Sequence, residues 1–255
     1  MSDLEKQFIT TLKSIETERR LSRVFFDFVE LSAIAVANSV DKAQFDGREE
    51  RYMAIIGRYT SEEAQAFKRC FHFLVEIMSA GYGDYLGHLY MSLDMGNSDM
   101  GQYFSPYDLS LLLAKAMVTE NAIQEQVNGR GFVSLYEPSV GGGGMVIGAA
   151  EVMADLGFNP QQQLHVTCQD LDITAVHMTY LQLSLLGIPA VVIHGDTLRM
   201  ETRSVWYTPF HILHRWDYKL KYGELAPKHE ELITKCHEPT TPQQHSQPAP
   251  QLALF

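Results

Sequence analysis

The residues best suited to hold a ligand form a glycine-rich stretch near the middle of the chain. Residues 136–144 read YEPSVGGGG, follow an apolar run and precede a helical pattern, which predicts a strand, a tight loop and the start of a helix. A loop without Cβ atoms lets a ligand lie against the main chain, and the helix N-terminus behind it offers free N–H groups. This geometry suits the nucleotide-like end of a cofactor, and a flexible linker is the alternative.

Two later apolar runs end in acidic residues. Residues 164–168 lead into Asp170 and Asp172, and residues 190–194 lead into Asp196. The carboxyl ends of parallel strands meet at one edge of a sheet, where an acid after the second strand typically holds the ribose hydroxyls of a nucleotide. The spacing therefore predicts a cofactor site built from three strand ends of a Rossmann-like α/β fold.

Four elements resemble the S-adenosylmethionine-binding motifs of adenine-N6 DNA methyltransferases. They are GQYFSP at residues 101–106, the EP-to-glycine loop at 137–144, Gln169-Asp170, and GDTL at 195–198. The resemblance covers residues 96–198 and is most specific in GQYFSP. It points to the modification subunits of type I restriction systems and their phage- and plasmid-borne relatives, and it implies S-adenosylmethionine as cofactor and DNA as substrate.

The resemblance also implies roles for individual residues. Those assigned to the cofactor are Tyr103, Phe104, Ser105, Pro106, Glu137, Pro138, Gly141, Gly143, Asp170, Leu171 and Asp196. The first four would border the methionine end, and Glu137 would lie near the methionine amino group. Asp170 would bind the ribose hydroxyls, with Asp172 as the alternative. Asp196 would accept from the adenine amino group, and Leu171 would flank the ring.

The sequence departs from the family pattern at the catalytic motif. Such enzymes carry an Asn/Asp-Pro-Pro-Tyr/Phe tetrapeptide whose polar oxygen accepts from the target amine and whose ring stacks on the flipped base. No such tetrapeptide is present. The nearest candidate is residues 207–210, from which we predict that Tyr207, Pro209 and Phe210 contribute through base stacking. An ordinary turn beside Trp206 is the alternative.

The methyltransferase domain is predicted to be truncated. After residue 194 only residues 203–207 resemble another strand, whereas a doubly wound sheet needs several more. Three interpretations stay open. The protein is a degenerate methyltransferase that still binds cofactor, a subunit completed by a partner, or an active enzyme with an unrecognised catalytic loop.

Composition indicates an ordinary globular protein. The 255 residues are 45% apolar, and the three cysteines are far apart without metal-ligand spacing, so we predict neither a metal site nor a disulfide framework. The chain has no long apolar span and its first residues lack a signal-peptide layout, so we expect a cytoplasmic protein without membrane contact.

Charge limits the expected mode of DNA binding. The net charge is −11, which argues against a long grip on duplex because cations supply most nonspecific affinity. Local basic groups are the exception: Arg199, Arg203, Arg215, Lys219 and Lys221 are interleaved with aromatic residues. Such alternation suits splayed nucleotides, although burial of the aromatic rings in the core is an equal alternative.

The chain is predicted to divide into a helical region at 1–95, the methyltransferase-like domain at 96–235 and a tail at 236–255. Residues 60–63 form a capping box that begins a helix ending near Gly81, and residues 24–40 are apolar nearly all round, as in a core helix. Ser105-Pro106 begins another helix. Its predicted apolar face is Leu109, Leu112, Leu113, Ala116 and Met117.

The last five residues resemble the sliding-clamp-binding motif of bacteria. A stretch rich in proline and glutamine precedes them, which is typical of a disordered tether. The resemblance implies that Gln251 hydrogen-bonds at the rim of a pocket of the bacterial DNA polymerase sliding clamp, and that Leu254 and Phe255 fill this apolar pocket. Leu252 is a further partner-binding residue of the motif. A short motif arising by chance is the alternative.

Two other functions compete with DNA methylation. A noncatalytic adaptor would keep the methyltransferase fold without transferring a methyl group. It would act at the sliding clamp or as a subunit of a restriction complex. A generic Rossmann protein would bind NAD in the same glycine loop, although GQYFSP and the acid after the third strand fit S-adenosylmethionine better. Cofactor preference therefore separates the NAD-binding class from the other two.

Overall fold

The computed structural model describes residues 1–15, 20–93 and 105–223, together with the backbone of Leu252–Ala253. The described amino-terminal region is helical, as predicted. Its helices are α1 (Asp3–Lys13), α2 (Leu21–Val40), α3 (Phe45–Ile56), α4 (Ser61–Met78) and α5 (Tyr85–Ser92). The start of α4 is confirmed, because Thr60 and Glu63 form a reciprocal capping box.

Helix α2 joins the helical region to the rest of the protein. Its Val24, Phe25 and Phe28 belong to the core of the helical region, whereas Ala33 and Ile34 belong to the core around the sheet. This two-sided burial explains why residues 24–40 are apolar nearly all round. The helical region therefore packs directly on the α/β part.

The α/β part contains the sheet and the helices that connect its strands. The helices are α6 (Tyr107–Met117), α7 (Glu120–Arg130), α8 (Gly144–Asp155), α9 (Pro160–Gln163), α10 (Ile173–Leu185), α11 (Pro209–Leu213) and α12 (Trp216–Tyr222). The strands are β1 (Val133–Glu137), β2 (Leu164–Asp170), β3 (Ala190–Asp196), β4 (Glu201–Tyr207) and β5 (Leu252–Ala253). None of the described helices is long and apolar enough to span a membrane.

The sheet has the order β4-β3-β2-β1-β5. Strands β1, β2 and β3 are parallel, and β5 extends this arrangement by two residues beside β1. Strand β4 runs antiparallel to β3. Most residues of β1 and β2 are buried, whereas buried and half-buried residues are mixed along β3. Such burial is expected for parallel strands covered by helices.

The buried face of α6 differs from the predicted one. Leu109 and Leu112 are 45% and 63% exposed, whereas Ser110 and Ala114 are buried. The reason is a close approach to α8, where a Cβ added to Gly148 would lie 3.3 Å from the Ser110 carbonyl oxygen. Because the two backbones nearly touch there, small side chains face the contact.

Candidate cofactor site at the carboxyl ends of the strands

The structure brings the three predicted strand ends to one edge of the sheet. Glu137 ends β1 and lies beside Cys168, and Asp170 ends β2 and lies beside His194. Asp196 ends β3 at the same edge. The parallel arrangement inferred from the spacing of the apolar runs is thus confirmed.

The glycine loop lies directly on Asp170. The backbone N–H of Gly141 donates to Asp170 Oδ2 at 2.8 Å, and the N–H of Asp172 donates to Asp170 Oδ1 at 2.9 Å. Gly143 is the N-cap of α8 with a φ of +96°, and a Cβ there would lie 3.1 Å from Thr179 Oγ1. Only glycine adopts this conformation without strain, and the following helix N-terminus has no side-chain cap.

The two candidate ribose ligands have different surroundings. Asp172 is the N-cap of α10 and accepts from the Thr174 N–H at 2.9 Å. Asp170 instead accepts a hydrogen bond from the glycine loop itself. A carboxylate oxygen can accept more than one hydrogen bond, so Asp170 can still accept from a ligand, and its contact with the loop makes it the stronger candidate.

Asp196 shapes the chain that follows it. Its Oδ1 accepts from the N–H groups of Leu198 and Arg199, at 3.0 and 3.1 Å, and its Oδ2 lies 3.7 Å from Arg199 Nε. Because Oδ1 already accepts two hydrogen bonds, Oδ2 is the oxygen with more acceptor capacity left for an adenine amino group. Leu171, the predicted neighbour of the ring, is 56% exposed at the end of β2.

Glu137 carries a buried oxygen that needs a partner. The side chain is buried, Oε1 accepts from the Ser139 N–H at 3.0 Å, and Oε2 has no hydrogen-bond partner among the described residues. Burial raises the pKa of the Glu137 carboxyl, and the negative charge of Asp170 raises it further. A ligand ammonium group donating to Oε2 would satisfy this atom and favour its charged form.

The raised pKa of Glu137 predicts that cofactor binding depends on pH. If a ligand ammonium group binds the Glu137 carboxylate, affinity should be greatest above the pKa and fall as pH decreases through it, by up to about tenfold per pH unit. Because the pKa is raised, the fall should begin above the usual range near pH 4.3. Calorimetric titrations at several pH values measure this dependence.

The matched variants are Glu137→Gln and Glu125→Gln. The first should bind more weakly at neutral pH and lose the acid dependence, because an amide does not titrate. The second alters an exposed glutamate on α7 and should follow the wild type. Identical pH profiles for Glu137→Gln and the wild type would contradict the assignment of Glu137.

Asp84 and Gln182 also position the glycine loop, although they were not predicted from the sequence. Gln182 Nε2 donates to the Gly142 carbonyl oxygen at 2.6 Å and to Asp84 Oδ1 at 2.8 Å, and its Oε1 accepts from the Leu86 N–H at 3.0 Å. Burial raises the pKa of Asp84, against the opposing effect of the Gln182 amide. The sequence signal at Asp84 is that of a helix N-cap. Its contact with Gln182, 98 positions away, cannot be read from the sequence.

A cavity of about 500 Å³ opens beside Asp84. Gly87, His88, Tyr107 and the predicted methionine-end residues Ser105 and Pro106 line it. Tyr103 and Phe104 lie outside the described residues. The cavity therefore adjoins the buried support of the glycine loop and includes the described half of the predicted motif.

The structure does not bring Tyr207, Pro209 and Phe210 to this site. Strand β4 is antiparallel, so Glu201 pairs with Asp196 while Tyr207 pairs with Val191 at the other end of β3. Five strand residues separate these ends by about 16 Å, whereas reacting atoms must approach to about 3–3.5 Å. Tyr207 instead stacks on His211, with ring centroids 5.0 Å apart.

The basic and aromatic residues of 199–222 also divide between the two ends of the sheet. Arg199 and Arg203 lie on the cofactor side, at the start of β4 or just before it, whereas Arg215 and α12 follow its far end. Trp206 and Trp216 are buried. These residues do not form one continuous surface for nucleotides.

Together, the strand order, the glycine loop and the acidic strand ends define a Rossmann-like protein with a nucleotide-cofactor site. The chain belongs to the N-6 DNA Methylase family, whose model matches residues 83–244. Its cofactor is S-adenosylmethionine, and the unpaired Glu137 Oε2, the open N-terminus of α8 and the acids at the ends of β2 and β3 fit that cofactor.

Two solved structures are similar to this chain. The methyltransferase subunit of a type I restriction-modification system from Streptococcus thermophilus is 19% identical with a TM-score of 0.41, and the match covers 76% of this chain and 40% of that one. A protein described as a class I S-adenosylmethionine-dependent methyltransferase from Listeria monocytogenes is 9% identical with a TM-score of 0.44, covering 88% and 71%. No curated protein matches.

Proposed function

We propose that the protein binds S-adenosylmethionine at the strand ends and acts on DNA in adenine-N6 methylation. The observation that carries this proposal is the buried, unpaired Oε2 of Glu137 beside a glycine loop that is bonded to Asp170. When bound, the cofactor supplies a methyl group to an acceptor amine. Glu137 then orients the methionine end, while Asp170 and Asp196 orient the nucleoside.

We propose further that the groups handling the target base are not Tyr207, Pro209 and Phe210. Tyr207 lies about 16 Å along β3 from the cofactor edge, and Pro209 and Phe210 follow it in α11. This end of the sheet is too far away for stacking on a base that receives the methyl group. A second subunit that completes the active site is consistent with this separation. The S. thermophilus protein is itself a subunit of a larger system, and this chain spans 40% of its length.

Methyl transfer tests this function. Tritiated S-adenosylmethionine is incubated with single- and double-stranded DNA and either the purified protein or the complex copurified from its host. We expect label in adenine-N6 with the complex and little or none with the protein alone. Absence of label in both, with intact cofactor binding, would instead support the second candidate, a noncatalytic adaptor that uses a cofactor-binding fold to act in a DNA-associated, cytoplasmic complex.

We also propose that residues 251–255 bind the sliding clamp of the DNA polymerase. Gln251, Leu254 and Phe255 lie outside the described residues, and Leu252–Ala253 pair with Leu135 and Tyr136 of β1. A peptide bound in a clamp pocket cannot keep this pairing, so the two states would compete. The resemblance of the pentapeptide to the clamp-binding motif is the support for this partner.

Deleting residues 251–255, or changing Leu254 and Phe255 to Ala, is expected to abolish retention of the protein on immobilised clamp. Burial of these two side chains should supply most of the affinity, about 1.5–3 kcal/mol each. The control is Pro248→Ala, because Pro248 lies in the stretch before the motif. This variant should be retained on the clamp like the wild type. Retention of the truncated protein equal to that of the wild type would show that residues 251–255 do not bind the clamp.

A further inference from the structure

The connection between β3 and β4 exposes two large apolar side chains at the cofactor edge of the sheet. Residues 197–200 form this connection, which we name the β3–β4 turn. Leu198 is 96% exposed and Met200 is 90% exposed. The turn closes on the paired residues Asp196 and Glu201, at the carboxyl end of β3. Its apolar surface therefore lies next to the predicted binding site for the adenine of the cofactor.

Hydrogen bonds hold the β3–β4 turn in a defined conformation. Asp196 Oδ1 accepts from the N–H groups of Leu198 and Arg199, and Thr197 Oγ1 donates to the Pro138 carbonyl oxygen at 2.7 Å. Met200 has a φ of 56°, a left-handed conformation that bulky side chains rarely adopt. The exposure of the two apolar side chains is thus built into the backbone of the turn.

Basic side chains accompany this apolar surface. The Arg199 side chain is 73% exposed, and Arg203 is exposed on β4. In a protein with a net charge of −11, local cations such as these must supply the contacts to phosphate. Apolar side chains next to arginines are the combination by which proteins insert a wedge between bases while holding the DNA backbone.

We propose that the β3–β4 turn is a DNA-contacting wedge. Leu198 and Met200 insert beside the target adenine, and Arg203 contacts a neighbouring phosphate. A base must leave the helix stack to reach a methyl donor, and apolar side chains that enter the stack favour this opening. Asp196 links DNA contact to cofactor binding, because the carboxylate that shapes the turn is also the predicted ligand of the adenine of the cofactor. This inference rests on the proposed DNA substrate.

The test compares duplex DNA binding by the wild type and by Leu198→Ser combined with Met200→Ser. The copurified complex is titrated with a fluorescein-labelled duplex, and a second duplex carries 2-aminopurine at the target position to report unstacking. The matched control is Leu112→Ser combined with Leu213→Ser, two other exposed leucines. Cofactor affinity and melting temperature are measured for every variant.

We expect the turn variant to bind duplex at least about tenfold more weakly and to lose the rise in 2-aminopurine fluorescence, with unchanged cofactor affinity and melting temperature. Arg203→Gln should reduce the salt dependence of binding by about one ion.

Equal DNA affinity of the turn variant and the wild type would overturn the wedge alone. A parallel loss of cofactor affinity would also overturn it, because the turn would then act through the cofactor site. A wild type that binds cofactor but no duplex would overturn the wedge together with the proposed DNA substrate.

Discussion

Gln182→Leu is expected to lower the free energy of unfolding by about 3–5 kcal/mol and to weaken S-adenosylmethionine binding at least tenfold. Gln182 is completely buried and makes hydrogen bonds to three groups, Asp84 Oδ1, the Gly142 carbonyl oxygen and the Leu86 N–H. Leucine has a similar size but no polar atoms. Each buried group left without its partner costs about 1–3 kcal/mol, and the effects are not fully additive.

The loss of affinity has a separate cause from the loss of stability. Gln182 connects the glycine loop to Asp84, so its removal frees the Gly142 carbonyl and lets the loop leave its binding conformation. Gln161→Leu is the control, because the Gln161 side chain is exposed and, among the described residues, donates a hydrogen bond to the Leu186 carbonyl oxygen alone. It should change stability by less than about 1 kcal/mol. Denaturant unfolding and calorimetry measure both effects, and a wild-type affinity in Gln182→Leu would show that the loop does not need this support.

Gly195→Ala is expected to destabilise the protein by about 3 kcal/mol or more. A Cβ at this position would lie 2.0 Å from the Glu201 carbonyl oxygen, which belongs to the backbone and cannot rotate away, and 3.0 Å from Gln169 Nε2. The register of β3 and β4 is irregular between His194 and Gly195, so the strands approach closely there. The added methyl group must separate them and displace Asp196.

Gly129→Ala is the matched control for this substitution. Gly129 lies in α7 with open space around its Cβ position, so alanine should leave stability unchanged or raise it by up to about 1 kcal/mol, as expected from helix propensity. Denaturant unfolding of both variants makes the comparison. Stability of Gly195→Ala within about 0.5 kcal/mol of the wild type would mean that the close contact of β3 and β4 does not exist.

The cofactor edge could be predicted from the sequence because its signals are local. A capping box begins α4, a glycine run precedes α8, and an acid follows each of two apolar strands. Once the strands are parallel, their carboxyl ends must meet at one edge. The side chains that act there are therefore brought together by topology, without knowledge of any long-range packing.

The direction of β4 was also accessible from the sequence, although the prediction of Tyr207, Pro209 and Phe210 did not use it. Only four residues separate Asp196 from Glu201. Such a connection allows an antiparallel pair, whereas a parallel strand needs a crossover of a dozen or more residues. The short connection therefore implies that Tyr207 lies at the opposite end of the sheet.

The buried support of the glycine loop could not be predicted in this way. Asp84 and Gln182 are 98 positions apart and meet because α5 packs on α10. The inward face of α6 was missed for a similar reason, since Gly148 of α8 lets the two helices approach closely. Hydrophobic periodicity predicts which face of a helix is apolar, but a close backbone contact can bury small residues instead.

Calorimetric titration with S-adenosylmethionine and, separately, with NAD tests the central claim most directly. The wild type should bind S-adenosylmethionine and not NAD. Asp170→Ala and Asp196→Ala should each weaken binding by about 1–3 kcal/mol, because each removes a carboxylate that we propose accepts a hydrogen bond from the cofactor. Unchanged affinity in both variants, or binding of NAD alone, would contradict a cofactor site at the carboxyl ends of β1, β2 and β3.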